Sequence, residues 1–268
     1  MNIGLLIVGD EILSGKRADK HLPKVIELLA ARGLQLAWAR YVGDDPPRIT
    51  ADLKDAFASG DLVFSCGGIG ATPDDHTRQC AAAALGVALE LHPEAKALVV
   101  ERMRDVAREQ GTVFDPDRED NRHRLNMAVF PAGAEIIPNP YNKIAGFAVR
   151  SGAGGVFFVP GFPVMAWPMI EWVLDTHFRR FHVAPSTVER SVIVFGSMEA
   201  TLTPLMEAVE YAFAGIKVFS LPSVDHPEWG RHIELGVKGN AALLEQAYLR
   251  LRDGVVELGG KLGPELVR

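Results

Sequence analysis

Acidic side chains recur in three segments of the chain, and each of these segments follows a strand-like apolar run. The five acidic residues concerned are Asp10, Glu11, Asp44, Asp74 and Asp75. If the segments converge, the carboxylates repel one another and any phosphate unless a cation lies among them. Carboxylate oxygens with few histidines or cysteines nearby favour Mg²⁺ or Mn²⁺. Such a site suits phosphoryl chemistry, because the cation screens charge and either activates water or polarises an oxygen.

The third segment also carries three glycines in four positions, Gly67, Gly68 and Gly70. Glycine permits positive φ and lets backbone N–H groups approach a ligand closely. The helix that follows would add unpaired N–H groups and the positive end of its dipole, which favour a phosphate. The sequence therefore predicts a metal-dependent nucleotide or pyrophosphate site at this loop.

Structural alternatives remain for the same residues. The stretch 72–75 also fits the start of a helix, with Thr72 as N-cap, Pro73 at the first position and Asp75 as the acidic third. The acidic side chains would then form a solvated rim. His76 could act as a base or ligand and Lys143 could meet a phosphate, although single residues of these kinds more often do neither.

Two familiar phosphate-binding motifs do not fit. Gly9 and Gly15 have five residues between them where the P-loop has four, and Arg17 stands where Ser or Thr follows the lysine. The glycines at 67–70 come after the third strand and lack the third spaced glycine of a dinucleotide fingerprint.

The segments that must position these residues alternate between strand-like and helix-like patterns. Continuous apolar runs predict strands at 3–8, 34–42 and 61–66, and helical spacing predicts a helix after each, the third at 72–85. Three successive strand–helix units imply a parallel sheet with right-handed crossovers. The loops after parallel strands meet at one edge of the sheet, which is where ligands bind in such folds. Further helices at 93–110 and 162–181 and short strands at 135–137, 147–150 and 156–159 complete this part.

From about residue 183 the pattern changes to a β-α-β-β-α unit, so we expect two domains, 1–182 and 183–268. The second stretch holds eight Lys or Arg against eleven Asp or Glu and lacks a Gly-x-x-Gly loop between two helices. Both features argue against RNA binding and favour an interaction or dimer module.

Composition narrows the class of protein further. The 28 basic and 34 acidic side chains give a net charge of −6, which argues against a general binder of nucleic acid or anionic membranes. No apolar run reaches the ~20 residues of a membrane helix, and no basic leader is visible, so we expect a cytoplasmic protein. The two cysteines, Cys66 and Cys80, exclude a disulfide scaffold and a four-cysteine zinc site, and we expect them in the core.

Taken together, these loops resemble the molybdopterin-binding (MoaB/Mog-like) fold, and more narrowly the N-terminal domain of the CinA (competence/damage-inducible protein A) family. The matching stretches occur in family order, at 9–15, 42–45, 67–78 and 159–163. The resemblance implies a three-layer α/β/α domain with a mostly parallel sheet over residues 1–182. It also implies that residues 183–268 form a small α+β domain similar to the KH-like domain of CinA proteins.

The resemblance implies site roles as well. Asp44 and Asp75 would be catalytic, Gly67, Gly68, Gly70 and Thr72 would hold phosphate, and Asp10, Glu11 and Asp74 would bind the metal. The implied activity is hydrolysis of a nucleotide pyrophosphate such as ADP-ribose or FAD with Mg²⁺, Mn²⁺ or Co²⁺. The alternative is a module that binds molybdopterin or a nucleotide without turnover, in molybdenum-cofactor metabolism, and a third interpretation treats the acidic loops as remnants. Relatives assemble into dimers or trimers, so a homo-oligomer is expected.

The sequence departs from the CinA pattern at three places. Ala71 replaces a proline, Met127 stands where many CinA proteins carry glutamine, and residues 142–146 differ from their Gly-x-Ala-Pro-Gly. These changes leave the identity of the substrate open. The sequence given ends at Arg268, so the C-terminal nicotinamide mononucleotide deamidase domain of CinA proteins is not expected here and deamidation is not predicted.

Overall fold

The structure is a computed structural model that describes residues 2–152, 154–183 and 187–267. The chain divides into two compact units, Met1–His182 and Val183–Arg268. Within the described residues, no helix combines the length and the apolar character that crossing a bilayer requires.

The described residues of the first unit include eight strands. They are β1 (Ile3–Val8), β2 (Trp38–Val42), β3 (Leu62–Cys66), β4 (Leu89–Leu91), β5 (Val129–Pro131), β6 (Glu135–Ile137), β7 (Gly146–Ser151) and β8 (Gly154–Val159). Six of them form one sheet in the order β2-β1-β3-β8-β7-β6, while β4 and β5 pair separately. In this sheet β2, β1, β3 and β8 run parallel to one another. β7 runs antiparallel to its neighbours β8 and β6. The expected mostly parallel sheet is confirmed.

In the same described part of the chain, seven α-helices accompany these strands. They are α1 (Asp10–Leu13), α2 (His21–Ala30), α3 (Pro46–Ser59), α4 (Thr77–Leu85), α5 (Pro93–Glu109), α6 (Glu119–Arg124) and α7 (Pro163–His177). Short 3₁₀ turns follow α6 at Leu125–Ala128 and α7 at Arg179–Phe181.

The sheet is buried on both faces, which is why its central strands are continuous apolar runs. One face packs against α2 and α7, where Leu5 and Ile7 of β1 contact buried side chains of both helices. The opposite face packs against α3, α4 and α5, where Leu6 and Val8 of the same strand point. Alternate residues of β1 therefore pack into two separate hydrophobic cores, one on each face of the sheet. The three-layer α/β/α arrangement is confirmed. Cys66 and Cys80 are both buried, as expected.

Several predicted boundaries are wrong: α7 ends at His177 rather than 181, β8 starts at Gly154 rather than 156, and two further errors concern the starts of β2 and α4. The second strand starts at Trp38 rather than Leu34, because only from Trp38 onward do residues pair in register with β1. The helix expected at 72–85 starts at Thr77, and Thr72 is not its N-cap. The Asp75 carboxylate instead accepts hydrogen bonds from Thr72, which closes a separate turn before the helix.

The second unit holds the strands β9 (Thr187–Phe195), β10 (Ile216–His226), β11 (Gly230–Asn240) and β12 (Lys261–Val267), and the helices α8 (Glu199–Ala212) and α9 (Ala241–Glu257). The strands form an antiparallel sheet in the order β10-β11-β9-β12, with a core of its own. The sequence reading missed β12, because Gly263 and Pro264 are typical of a loop. In the structure they fall where the register shifts between Leu262 and Glu265, on an edge strand that tolerates the interruption.

Candidate functional site

A cavity of about 400 Å³ opens where β1, β2, β3 and β8 end, and this volume lies in the roughly 300–1,000 Å³ range of small-molecule sites. It lies entirely within the first unit. Its wall is formed by Val8, Gly9, Glu11, Arg17, Asp44, residues 67–72, Asp74, Asp75, Met127, Asn139, Asn142, Ile144, Ala145, residues 160–162 and Met165.

The loop after β3 depends on its first two glycines. Gly67 has φ +108° and Gly68 has φ +66°, values that residues with a side chain rarely adopt. A Cβ on Gly67 would also collide with the backbone carbonyl of Val8. The Gly67 N–H donates to the Val159 carbonyl at 3.0 Å, and the Thr77 N–H donates to the Gly68 carbonyl at 3.0 Å. The loop is thus fixed between β8 and the start of α4.

The same loop leaves a run of backbone donors unused. In the described part of the chain, the N–H groups of Gly68, Ile69, Gly70 and Ala71 donate to no protein acceptor. All four residues line the cavity. Consecutive free N–H groups on a glycine-rich loop form a concavity suited to an anion, and a phosphate oxygen can accept from them without loss of any internal hydrogen bond.

Asp75 is held close to this loop. One of its carboxylate oxygens, Oδ2, accepts from the Thr72 N–H at 2.8 Å and from the Thr72 hydroxyl. The same carboxylate packs against Gly70, where a Cβ would collide with it. Oδ1 has no hydrogen-bond donor among the described residues and belongs to a side chain that lines the cavity. Asp75 therefore orders the turn and still presents an oxygen for chemistry.

Arg78 supports the loop from beneath. Its side chain is only 4% exposed, and its guanidinium donates to the Gly70 carbonyl at 2.5 Å and to the Asn126 carbonyl. Burial lowers the pKa of Arg78, and the nearby Asp75 charge opposes that shift. The sequence reading did not assign this residue a role. Its place eight residues after the third glycine, in the polar first turn of an otherwise apolar helix, was the available signal.

Asp10 and Asp44 meet at the adjoining loops. The Asp10 N–H donates to Asp44 Oδ2 at 2.9 Å, and the Asp44 N–H donates to Asp10 Oδ1 at 3.2 Å. Each aspartate keeps one carboxylate oxygen that no described donor engages. Asp10 itself lines an adjacent cleft rather than the cavity, whereas Glu11, Asp44 and Asp74 line both. The acidic residues thus form the boundary between cavity and cleft.

The carboxylates of this boundary differ in how readily they ionise. Burial raises the pKa of Asp44, and the charges of Asp10, Glu11 and Asp74 add to the increase, against an opposing backbone hydrogen bond from Asp10. The pKa of Asp74 is lowered, chiefly by interaction with the Thr72 side chain. In the described residues none of the five acidic side chains forms a salt bridge.

The carboxylate oxygens on this boundary are the candidate ligands for a divalent cation. Among the residues described, no three His, Cys, Asp or Glu side chains are grouped to hold a metal by themselves. Mg²⁺ usually takes only one or two carboxylates and completes its shell with water and substrate phosphate oxygens. Asp10 and Asp44 offer one free carboxylate oxygen each, next to amides that suit a phosphate.

The remaining wall is largely apolar. It includes Met127, Ile144, Ala145, Phe162 and Met165. Met127 and the 142–146 segment are two of the three places where the sequence departs from the CinA pattern, and the third, Ala71, lines the cavity too, so the departures lie on or beside the cavity wall. Asn139 fixes the segment, since its side-chain amide donates to the Ile144 carbonyl at 3.0 Å.

Three further residues clarify which charges face the cavity. Lys143 binds Glu101 and Asp105 of α5, at 2.6 and 2.7 Å, and does not line the cavity. His76 lines a separate cavity together with Arg78. Arg17, which sequence reasoning considered only as a mismatch to the P-loop, is the one cation on the cavity wall as far as the chain is described. Its position in the loop after β1 was the signal that could have found it.

Comparison with known proteins places the first unit in a family. A sequence-family model described as a probable molybdopterin binding domain matches residues 4–180. A CinA-like protein of Anaeromyxobacter sp. strain K is 32% identical over 264 residues, covering 97% of this chain and 60% of the relative. A CinA-like protein of Anaeromyxobacter dehalogenans strain 2CP-1 is 33% identical over 220 residues, covering 81% of this chain and 51% of the relative. The chain therefore spans between about half and 60% of the length of these curated relatives.

Among solved structures, the chain is similar to the crystal structure of the protein CinA from Thermoplasma acidophilum, described as having unknown function. The TM-score is 0.56 at 26% identity, covering 65% of this chain and 98% of that one. The resemblance first seen in the loops after β1, β2, β3 and β8 is confirmed. The chain belongs to the family of probable molybdopterin binding domains, which its residues 4–180 represent in CinA-like form.

Proposed function

We propose that this chain hydrolyses a nucleotide pyrophosphate, such as ADP-ribose or FAD, in a reaction that requires a divalent cation. Water adds across one P–O–P bond, and two phosphomonoesters leave. ADP-ribose would yield AMP and ribose 5-phosphate, and FAD would yield AMP and FMN.

One observation carries the proposal. Carboxylates without a cationic partner and amides without an acceptor line the same cavity in the described residues. Four carboxylates and one arginine on the wall would repel a diphosphate, whereas the free N–H groups would attract it. A cation between the carboxylates and the phosphates resolves this conflict, which is why we favour a metal-dependent reaction over binding of a free phosphate ester.

The chain's own residues divide the work. The free N–H groups of residues 68–71 hold phosphate oxygens, whereas the Gly67 N–H is already bound to the Val159 carbonyl. Thr72 with Asp75 fixes the end of that loop. One or two of the carboxylates of Asp10, Glu11, Asp44 and Asp74 would hold Mg²⁺, Mn²⁺ or Co²⁺. The ion would neutralise charge and polarise the phosphoryl group. Asp75 Oδ1, which has no donor within the described chain, accepts the proton of the attacking water.

The second candidate is a module that binds a pterin or nucleotide without turnover. The family match favours it, because the family is defined by molybdopterin binding rather than by hydrolysis. The two candidates differ in what they require. Hydrolysis needs the cation and Asp75 Oδ1, whereas simple binding of a pterin needs neither.

The test is incubation of the protein with ADP-ribose or FAD and each of Mg²⁺, Mn²⁺ and Co²⁺, with AMP measured by chromatography. AMP release that disappears with a chelator and in Asp75→Asn supports the hydrolase. Asparagine keeps an acceptor for Thr72 but cannot take the proton, so folding and proton transfer are separated. No AMP with any cation, together with metal-independent pterin binding, would establish the binding module instead.

A further inference from the structure

One aromatic side chain on the cavity wall is unusually open. Phe162, in the loop between β8 and α7, is 54% exposed and lines the cavity. The guanidinium carbon of Arg17 lies over its ring, 5.9 Å from the centroid. Single exposed apolar residues are common on protein surfaces, so exposure alone says little. The combination of an open ring, a cation over it and a place on a cavity wall is more specific.

Strand order arranges the wall of the cavity. At this edge of the sheet each strand is followed by one part of the cavity wall. Asp44 follows β2, Glu11 follows β1, the glycine loop follows β3 and Phe162 follows β8. Adjacent strands lie about 4.8 Å apart, so β2 and β8 are separated by roughly 14 Å. Asp44 and Phe162 thus occupy opposite ends of the row, with the free amides between them.

The surroundings of Phe162 are suited to a flat apolar group. Met165 follows β8 and Ile144 precedes β7, and both line the same cavity. Met127, in the 3₁₀ turn before β5, lines it as well. Aromatic rings and thioethers are favourable partners for the faces and edges of planar rings. A sugar phosphate or inorganic pyrophosphate would leave this half of the wall without a partner.

We propose that Phe162, with Arg17 over its ring, is a stacking platform for the planar heteroaromatic ring of the ligand. The ligand class is therefore a phosphate ester that carries such a ring, a nucleotide or pterin, rather than a sugar phosphate alone. This inference rests on the proposed function only in placing the phosphate at the glycine loop. Arg17 makes no salt bridge in the described chain, so its charge is free to act on the ring.

The test compares phosphate monoesters that carry a planar heteroaromatic ring with one that does not. Affinities of AMP, GMP and FMN are measured by calorimetry with Mn²⁺ present, against that of ribose 5-phosphate. In the unmodified protein at least one ring-bearing ligand should bind about tenfold tighter than ribose 5-phosphate, because stacking one base on an aromatic side chain contributes on this scale. Phe162→Leu should abolish that preference and leave ribose 5-phosphate binding unchanged, while Phe162→Trp should retain it.

A matched control exists within the chain. Arg104 lies over Phe114, 5.4 Å from its ring centroid, and neither residue lines the cavity. Phe114→Leu should leave the ring preference intact. The proposal is overturned if no ring-bearing ligand exceeds ribose 5-phosphate by threefold in the unmodified protein, or if Phe162→Leu keeps the preference. Failure of the hydrolase is separate: AMP release is absent while the ring preference and its loss in Phe162→Leu remain.

Discussion

Two groups of carboxylates in this chain differ in what surrounds them. Glu245 and Glu265, in the second unit, both bind Arg190, the latter at 2.8 Å, and Arg190 also lies over the Tyr248 ring. Glu11 and Asp44, at the cavity of the first unit, have no salt-bridge partner among the described residues. The hydrogen bond from Arg190 lowers the pKa of Glu265, whereas burial and like charges raise that of Asp44.

The difference separates a role in stability from a role in binding. Paired surface carboxylates contribute modestly to the folded state. Clustered carboxylates without partners oppose folding, and a chain that retains them is expected to use them for a ligand that supplies the missing positive charge. The free N–H groups of residues 68–71 beside them extend the contrast, because they too have no partner in the described chain.

The largest predicted effect concerns the glycine loop, residues 67–71, whose free N–H groups lie beside the unpaired carboxylates. We expect Gly67→Ala to cost about 3 kcal/mol of unfolding free energy and to remove ligand binding, because the left-handed φ is strained and the added methyl meets the Val8 carbonyl. Urea denaturation followed by tryptophan fluorescence measures it, since Trp38, Trp167 and Trp172 all lie in the first unit.

Gly60 supplies the control. It has φ +71° at the end of α3, but a methyl there would meet nothing within 4 Å. Gly60→Ala should therefore cost only about 1 kcal/mol and leave binding intact. Equal costs for the two variants would show that the loop is not held tightly against β1.

The next effect tests whether the unpaired carboxylates serve a cation. We expect Asp44→Asn and Glu11→Gln each to lower Mn²⁺-dependent AMP release about 30-fold, since each removes a ligand charge from the boundary of the cavity. Glu265→Gln, in the second unit, should leave the rate unchanged. Initial rates over a Mn²⁺ titration provide the measurement, and equal losses in all three variants would remove the distinction between the two groups.

Much of the fold could be predicted because its signals are local. The apolar runs of β1 and β3 require burial on both faces, and Gly60 marks the end of α3 with the left-handed φ that its residue type predicts. The start of α4 could not be predicted in this way. Thr72 and Asp75 have the spacing of a helix cap, but the turn that they close is not continued as a helix. The helix starts at Thr77, whose N–H and hydroxyl donate to the carbonyls of Gly68 and Gly67, and these contacts are not visible in the local sequence.

The candidate site divides similarly. Asp10 and Asp44 meet because β1 and β2 are adjacent and parallel, which the alternation of strands and helices implies. Arg17, Arg78 and Phe162 depend on contacts between segments far apart in sequence, for which one chain gives no periodic signal. Sequence reasoning therefore located the loops, and the side-chain partners required the structure.

A smaller effect concerns the paired group. We expect Glu265→Gln to lower the unfolding free energy by about 0.5 kcal/mol at pH 7, because the ion pair with Arg190 is partly exposed. The folded-state pKa of Glu265 lies below its unfolded value, so this stabilisation is present above the unfolded pKa and disappears as the pH falls through the folded one. Denaturation at a series of pH values from 7 downwards should show the difference in unfolding free energy shrinking once the pH falls below the unfolded pKa. A constant difference would exclude the ion pair as its cause.

The smallest predicted effect is on the Tm of Asp44→Asn, and it is a gain in stability rather than the loss expected for Glu265→Gln. If this gain is absent, the contrast between the unpaired and the paired carboxylates no longer holds. The folded-state pKa of Asp44 is raised, so the folded protein holds this proton more tightly, and the stability lost by ionising Asp44 grows as the pH rises from the unfolded pKa through the folded one. Asp44→Asn keeps an acceptor for the Asp10 N–H and removes the charge, so we expect its Tm to exceed that of the unmodified protein by about 1 °C at pH 7 and to match it near pH 3.

Saturating Mn²⁺ should reverse the order of the two Tm values at pH 7, because the cation stabilises the chain that retains the carboxylate. Calorimetry of Asp44→Asn beside Asp225→Asn, an exposed aspartate of the second unit, measures all three conditions. A lower Tm for Asp44→Asn without metal would mean that Asp44 stabilises the fold as Glu265 does, and the unpaired carboxylates would no longer point to a cation.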